Sequence, residues 1–217
     1  PRGPGKAVRT LCAAVQTKEG DSLLAIATLQ GGGAVSWRTV ELGALEKLGP
    51  PTLVECAEDG STAVILGGAH VALARPGRAG VEVVKALAPG SRLGAPIGSG
   101  EVQATRDVAV GPGGTLLAVL DVTRTVDGGA VLEQALVVVA KGAVTVLRKS
   151  GDPVPDAEAG EVVHGFFLKR PTGAGAVLVV ESYLEGGVDR GVRISGSEYA
   201  LNPQRLLAVR LDSPKAA

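Results

Sequence analysis

The apolar runs of this chain are short, and glycine or proline stands at their ends. The stretch from Asp107 to Pro155 shows the pattern most fully. It reads DVAV, a Gly-Pro-Gly-Gly turn, TLLAVLDV, a polar loop, ALVVVA, Lys-Gly, and AVTVLRKSGDPVP. Val, Leu and Thr fill Thr115–Val122 and Ala143–Arg148, and such side chains suit a pleated, half-buried surface. The runs are too short for ordinary helices. Lys141-Gly142 suits a tight hairpin, because glycine takes positive φ without steric cost. Pro112-Gly113-Gly114 does the same one hairpin earlier. The stretch therefore predicts a four-stranded antiparallel meander.

The rest of the chain repeats the theme. Leu11–Val15, Leu23–Thr28 and Ala34–Leu42 form a first unit, broken by Lys18-Glu19-Gly20-Asp21 and Gly31-Gly32-Gly33. Leu42–Leu48 is long enough for one or two helical turns. TLVECA, STAVIL, AHVALA and VEVVKAL make a second unit, which leaves through Ala88-Pro89-Gly90. A fourth contains VVHGFFL, AVLVVES, VRIS and RLLAVRL. Four-stranded units recurring every roughly 40–50 residues are the mark of propeller blades. The expected fold is all-β, a β-propeller-like array of about four antiparallel meander blades, with a β-sandwich as the alternative. Residues 1–7 read as a disordered or extended lead-in. Residues 8–213 read as a single domain of four units: 8–49, 50–100, 101–158 and 159–213.

Composition removes several functions. The 22 basic and 22 acidic residues cancel, leaving no electrostatic footprint for nucleic acid or an anionic membrane. Aromatic residues, at 2%, are too few for base-stacking platforms. The 32 glycines follow no collagen period. No apolar run approaches the roughly 20 residues of a transmembrane helix. No charged-then-apolar leader opens the sequence, and the expectation is of a processed or excised chain from which any signal peptide is absent.

The segment Val144–Phe167, VTVLRKSGDPVPDAEAGEVVHGFF, resembles the inter-blade segment of secreted bacterial propeller-like repeat proteins of the choice-of-anchor kind. Those repeats run strand, GDP-x-P, short loop, next strand, and Ser150–Pro155 matches. The resemblance lies mainly in residues 101–180. Arg170-Pro171-Thr172-Gly173 stands where the family carries an Asn-x-x-Gly turn. The resemblance implies an extracellular or cell-envelope (periplasmic) location and no catalysis.

The chemistry-bearing residues form no recognisable motif. Gly111-Pro112-Gly113 and Gly173-Ala174-Gly175 lack the third glycine of a dinucleotide fingerprint and precede strands. Gly5-Lys6 lacks the rest of a phosphate-binding loop. Ser99 does not sit in a nucleophile elbow. His70 and His164 each read as a strand histidine or as a general base. Asp152, Asp156, Glu158 and Glu161 are the densest carboxylates. They lack the alternation of a calcium loop, so no metal and no cofactor is expected. Cys12 and Cys56 each fall in the first strand of a unit. They read either as two small buried hydrophobes or, in an oxidising compartment, as a bridge contributing on the order of 4 kcal/mol.

The leading functional expectation is a non-enzymatic binding or scaffold module, secreted or envelope-located, acting through a protein partner or self-association. Loops on a rigid scaffold carry recognition. Arg75–Gly80, Thr123–Ala130 and Leu184–Arg190 are the candidate loops, and the partner-binding candidates are Arg75, Arg78, Arg124, Asp127, Phe166, Glu185, Asp189 and Arg190. A core this poor in aromatics, in a chain of 45% apolar residues, favours burial against a partner. The alternatives are an enzyme with His70 or His164 meeting a carboxylate in a central channel, and a structural subunit of a larger assembly.

Overall fold

The computed structural model describes residues 9–18, 21–29, 33–77, 80–93, 97, 100–155, 160–169, 176–184, 192–194, 197–199 and 202–211. These residues are all-β apart from two short 3-10 turns. Strands β1 (Arg9–Gln16), β2 (Ser22–Leu29) and β3 (Val35–Glu41) form the first antiparallel sheet, in chain order. A 3-10 turn over Gly43–Leu48 leads out of it. The second sheet is β4 (Pro51–Cys56), β5 (Thr62–Leu66), β6 (His70–Gly77) and β7 (Gly80–Leu87). The third is β8 (Glu101–Val110), β9 (Leu116–Val126), β10 (Gly129–Ala140) and β11 (Ala143–Lys149). The fourth contains β12 (Val162–Lys169) and β13 (Ala176–Leu184). A ribbon of β14 (Val192–Ile194) and β15 (Ser197–Tyr199) precedes its last strand, β16 (Gln204–Arg210). Each sheet is a meander, and none closes on itself.

The alternation of side chains across a strand fixes how the sheets meet. Val64 and Leu66 of β5 enter an apolar layer with Leu24, Ile26 and Val40 of the first sheet. Ala63 and Ile65, the alternate residues, enter a second layer with Leu116, Ala118, Leu120 and Val122 of β9. Leu117 and Val119 of β9 face the other way, into a third layer with Phe166, Val177, Val179 and Val209 of the fourth sheet. The sheets therefore stack face to face in chain order. Interior strands such as TLLAVLDV are apolar at consecutive positions because both their faces are buried. Each fully buried Leu there contributes about 1.5–3 kcal/mol of transfer free energy. First strands lie beside first strands: β1 meets β4, β4 meets β8, and β8 meets β12.

The connections into the third and fourth sheets share a design. Gly90 donates its N–H to Val102 O at 2.9 Å, Val102 donates back to Ser91 O at 3.0 Å, and Leu93 donates to Gly100 O at 2.9 Å. Between the third and fourth sheets, Gly151 donates to Val163 O at 2.8 Å, Val163 to Asp152 O at 2.9 Å, and Val154 to Glu161 O at 3.1 Å. The Gly-Asp-Pro segment is thus a crossover. Its glycine sits at φ +82°, and the Asp152 carboxylate accepts the Lys149 N–H at 2.9 Å.

Two hairpins differ from the sequence reading. Thr123–Ala130 is no open loop: β9 and β10 pair as far as Val126 and Gly129, leaving a turn of Asp127 (φ 50°) and Gly128 (φ 82°). Asp-Gly is the pair that such a turn, with positive φ at both residues, selects. Arg75 likewise lies within β6, opposite Glu82 of β7.

Candidate protein-binding faces and the cleft beside the fourth sheet

The second and third sheets bury both faces, but the first and fourth have a neighbour in this stack on one side only. The registers define the outward rows. On the first sheet Leu11 stands opposite Ala27 and Ala27 opposite Trp37, while Val15 stands opposite Leu23 and Leu23 opposite Glu41. Trp37 is 72% exposed, and Leu11, Val15 and Val35 are exposed with it. On the fourth sheet Phe167 pairs with Val180 and Val180 with Leu206, while Lys169 pairs with Leu178 and Leu178 with Ala208. Phe167 is 52% and Leu206 66% exposed. Each end of the stack therefore turns a row of large apolar side chains outward. Glu41 on one face and Lys169 on the other bring opposite charges to their margins.

A cleft of about 650 Å³ lies beside the inner edge of the fourth sheet. Asp121 and Gln134, opposite each other on β9 and β10, lie in its lining, and Leu132, Phe167, Ser150, Ser182 and His164 complete much of the wall. Asp121 is almost buried and is held by Arg106 at 2.7 Å. Gln134 Oε1 accepts the Phe166 N–H at 3.1 Å. A side chain on Gly165 would collide with that same oxygen, since a Cβ would lie 2.7 Å from it. Ser150 donates its hydroxyl to the main-chain oxygen of His164 at 2.7 Å. The cleft thus gathers two serines, a histidine and three carboxylates in its wall.

A charged trio locks this part of the fold. Glu181, completely buried, accepts Arg148 Nε at 3.1 Å through one oxygen and Arg205 Nε through the other. Arg148 also donates to Pro153 O at 3.1 Å. One carboxylate therefore ties β11, β13, β16 and the crossover loop together. The sequence reading did not single it out, and its signal was slight: one acid at the end of the apolar run AVLVV.

The residues expected to bind a partner are dispersed. Arg75 pairs with Glu82 at 2.8 Å on the surface of the second sheet, and that contact raises the guanidinium pKa and lowers the carboxyl pKa. Arg124 grips Glu133 Oε1 through Nε at 2.9 Å and through its terminal nitrogen at 2.6 Å, which raises the Arg124 pKa. Glu133 Oε2 is buried without a hydrogen-bond partner. Asp127 is exposed at the tip of its hairpin. Phe166 is buried between the third and fourth sheets and touches the cleft, whereas the exposed ring there belongs to Phe167. Arg78, Glu185, Asp189 and Arg190 lie outside the described residues, as do the lead-in 1–7, Ser99, Asp156, Glu158 and the Arg170–Gly173 turn. His70 is on the second sheet with its Nδ1 buried and unpartnered. His164 is on the fourth. Among the described residues there is no group of three or more His, Cys, Asp or Glu placed to hold a metal ion. No helix among them is long and apolar enough to cross a membrane. Comparison with family models, curated proteins and solved structures returned no match.

Proposed function

We propose that this chain is a non-enzymatic scaffold module, extracellular or in the cell envelope, that works through protein–protein contacts made by its end faces. The carrying observation is the pair of exposed apolar rows, Leu11–Trp37 on the first sheet and Phe167–Leu206 on the fourth. Large apolar side chains clustered and exposed on one face favour an interaction site. The occupant is a second copy. Each internal junction already packs the outward face of one sheet on the inward face of the next, so the fourth sheet of one copy meeting the first sheet of another repeats that contact. Two such contacts close two four-sheet arrays into one ring of eight, within the range of blade numbers known for propellers. The repeated crossover hydrogen bonds and the resemblance of Ser150–Pro155 to an inter-blade segment support the propeller-like reading, and the resemblance supports the location.

Sedimentation velocity over a concentration series tests this. The expected species is a dimer that Trp37→Glu or Leu206→Glu turns into a monomer with an unchanged far-UV spectrum. A wild-type chain that stays monomeric at its solubility limit, or variants that remain dimeric, would overturn the reading. An alternative, an enzyme acting in the cleft, is favoured by one observation, the meeting of His164, Asp121, Ser150 and Ser182 in its wall. It requires a turnover that His164→Ala abolishes without altering assembly.

A further inference from the structure

The two cysteines are brought together by the stacking of the first two sheets. On β1, Cys12 stands opposite Ile26, and Ile26 opposite Arg38. This is the row that faces the second sheet, since Ile26 is buried in the shared layer and Cys12 packs against that layer. On β4, Cys56 is opposite Thr62, and Thr62 is opposite Ala74. Ala74 is buried in the same layer, so Cys56 points back at the first sheet. β1 and β4 are neighbours. Thr10, two residues before Cys12, donates its hydroxyl to the main-chain oxygen of Glu58, two residues after Cys56, at 2.9 Å. Thr10 meets Glu58 and Cys12 meets Cys56, so the two strands pass each other in opposite directions here. The side chains are hydrogen-bonded to each other and the thiols are unlinked. Both are only partly buried, so a reagent can reach them.

We propose that Cys12 and Cys56 are a disulfide-forming pair that staples the first sheet to the second. The oxidant is a small-molecule disulfide. The Cys56 thiolate attacks one of its sulfurs, forming a mixed disulfide and releasing one small thiol. Cys12, after losing its proton, attacks the Cys56 sulfur and releases the second thiol. Two protein thiols and one reagent disulfide become one protein disulfide and two reagent thiols. The protein sulfurs lose two electrons, the reagent sulfurs gain them, and two protons pass to the released thiols. The hydrogen bond from Cys12 lowers the Cys56 pKa, against the opposing effects of burial and of Glu55. That makes Cys56 the first attacker.

The whole chain is incubated with oxidised glutathione and then mapped by proteolysis and mass spectrometry without reduction. The expected product is one linked peptide pair, Cys12 with Cys56, in a chain lighter by two hydrogen atoms and with no free thiol. Its unfolding midpoint should exceed that of the reduced chain by roughly 8–16 °C. Cys12→Ser should abolish the link and instead keep glutathione on Cys56. Three results would each overturn the proposal: thiols that stay free, a stable doubly glutathionylated wild type, or a link only between chains. The mapping uses the unaltered chain, so it does not depend on a variant folding.

Discussion

Replacing Glu181 with Gln is the sharpest perturbation of the stack, because it removes one charge and almost no volume. The carboxylate has no exposed side-chain surface and lies between Arg148 and Arg205, whose side chains are 17% and 26% exposed. Removing one member of a buried ion pair costs about 3–5 kcal/mol, because the remaining charge is left uncompensated. Here two guanidinium groups are left, but both keep some contact with water and can relax toward it. That places the cost near the lower end, about 3 kcal/mol, or a fall in midpoint of roughly 6–12 °C for a chain of this size. Urea unfolding followed by far-UV circular dichroism measures it. Sheets that touch only their neighbours transmit a defect locally. Hydrogen exchange should therefore speed up in β12, β13 and β16 while β5 and β6 stay protected. The triple variant Glu181→Leu, Arg148→Met, Arg205→Met should recover to within about 2 kcal/mol of wild type, since apolar replacements of a whole buried charged group are tolerated. A Glu181→Gln protein within about 1 kcal/mol of wild type would mean that the trio does not hold the third and fourth sheets together.

Further outcomes follow from the same geometry. Gly49→Ala should cost about 1–3 kcal/mol in denaturant titration, since φ is +114° and the new Cβ would stand 2.9 Å from Gly67 Cα. Leu117→Ala should cost about 2–5 kcal/mol, because it opens a hole between the third and fourth sheets. The Arg75 contact holds the Glu82 pKa below its ordinary value. Any stability from the pair is therefore present above the ordinary glutamate pKa and is lost as pH falls through the lowered one. The pair is exposed, so Arg75→Ala should match wild type in high salt. Millimolar Ca²⁺ should leave the thermal midpoint unchanged; a rise of several degrees would reveal a bound ion.

The strands were legible in the sequence because glycine and β-branched residues mark them locally. Lys141-Gly142 and Pro112-Gly113-Gly114 form turns where they were expected, with Lys141 and Gly142 both at positive φ. Asp127-Gly128 is a local hairpin signal too, but the polar Thr123–Thr125 before it masks the strand and makes the segment read as a loop. Partnerships between sheets were not legible. Whether Phe166 or Phe167 faces the core depends on the irregular register between Val163 and Gly165, a displacement with no sequence marker. Trp37 and Leu206 read as ordinary strand residues, and nothing local shows that their sheets stand at the ends of a stack. Glu181 and its two arginines are 33 and 24 residues apart, so only the fold gathers them.

Cross-linking at the first-strand ends of the two rows tests whether one copy's fourth sheet packs on another's first sheet. Two single variants, Leu11→Cys and Phe167→Cys, are prepared in a background with Cys12 and Cys56 changed to Ser, mixed, and oxidised. First strands lie beside first strands throughout the stack, so β12 of one copy should lie against β1 of the next. The expected product is a covalent heterodimer in the mixture, with residue 11 linked to residue 167, and no covalent dimer from either variant alone. A mixture that stays unlinked, or either variant linking to itself, would contradict the end-to-end contact.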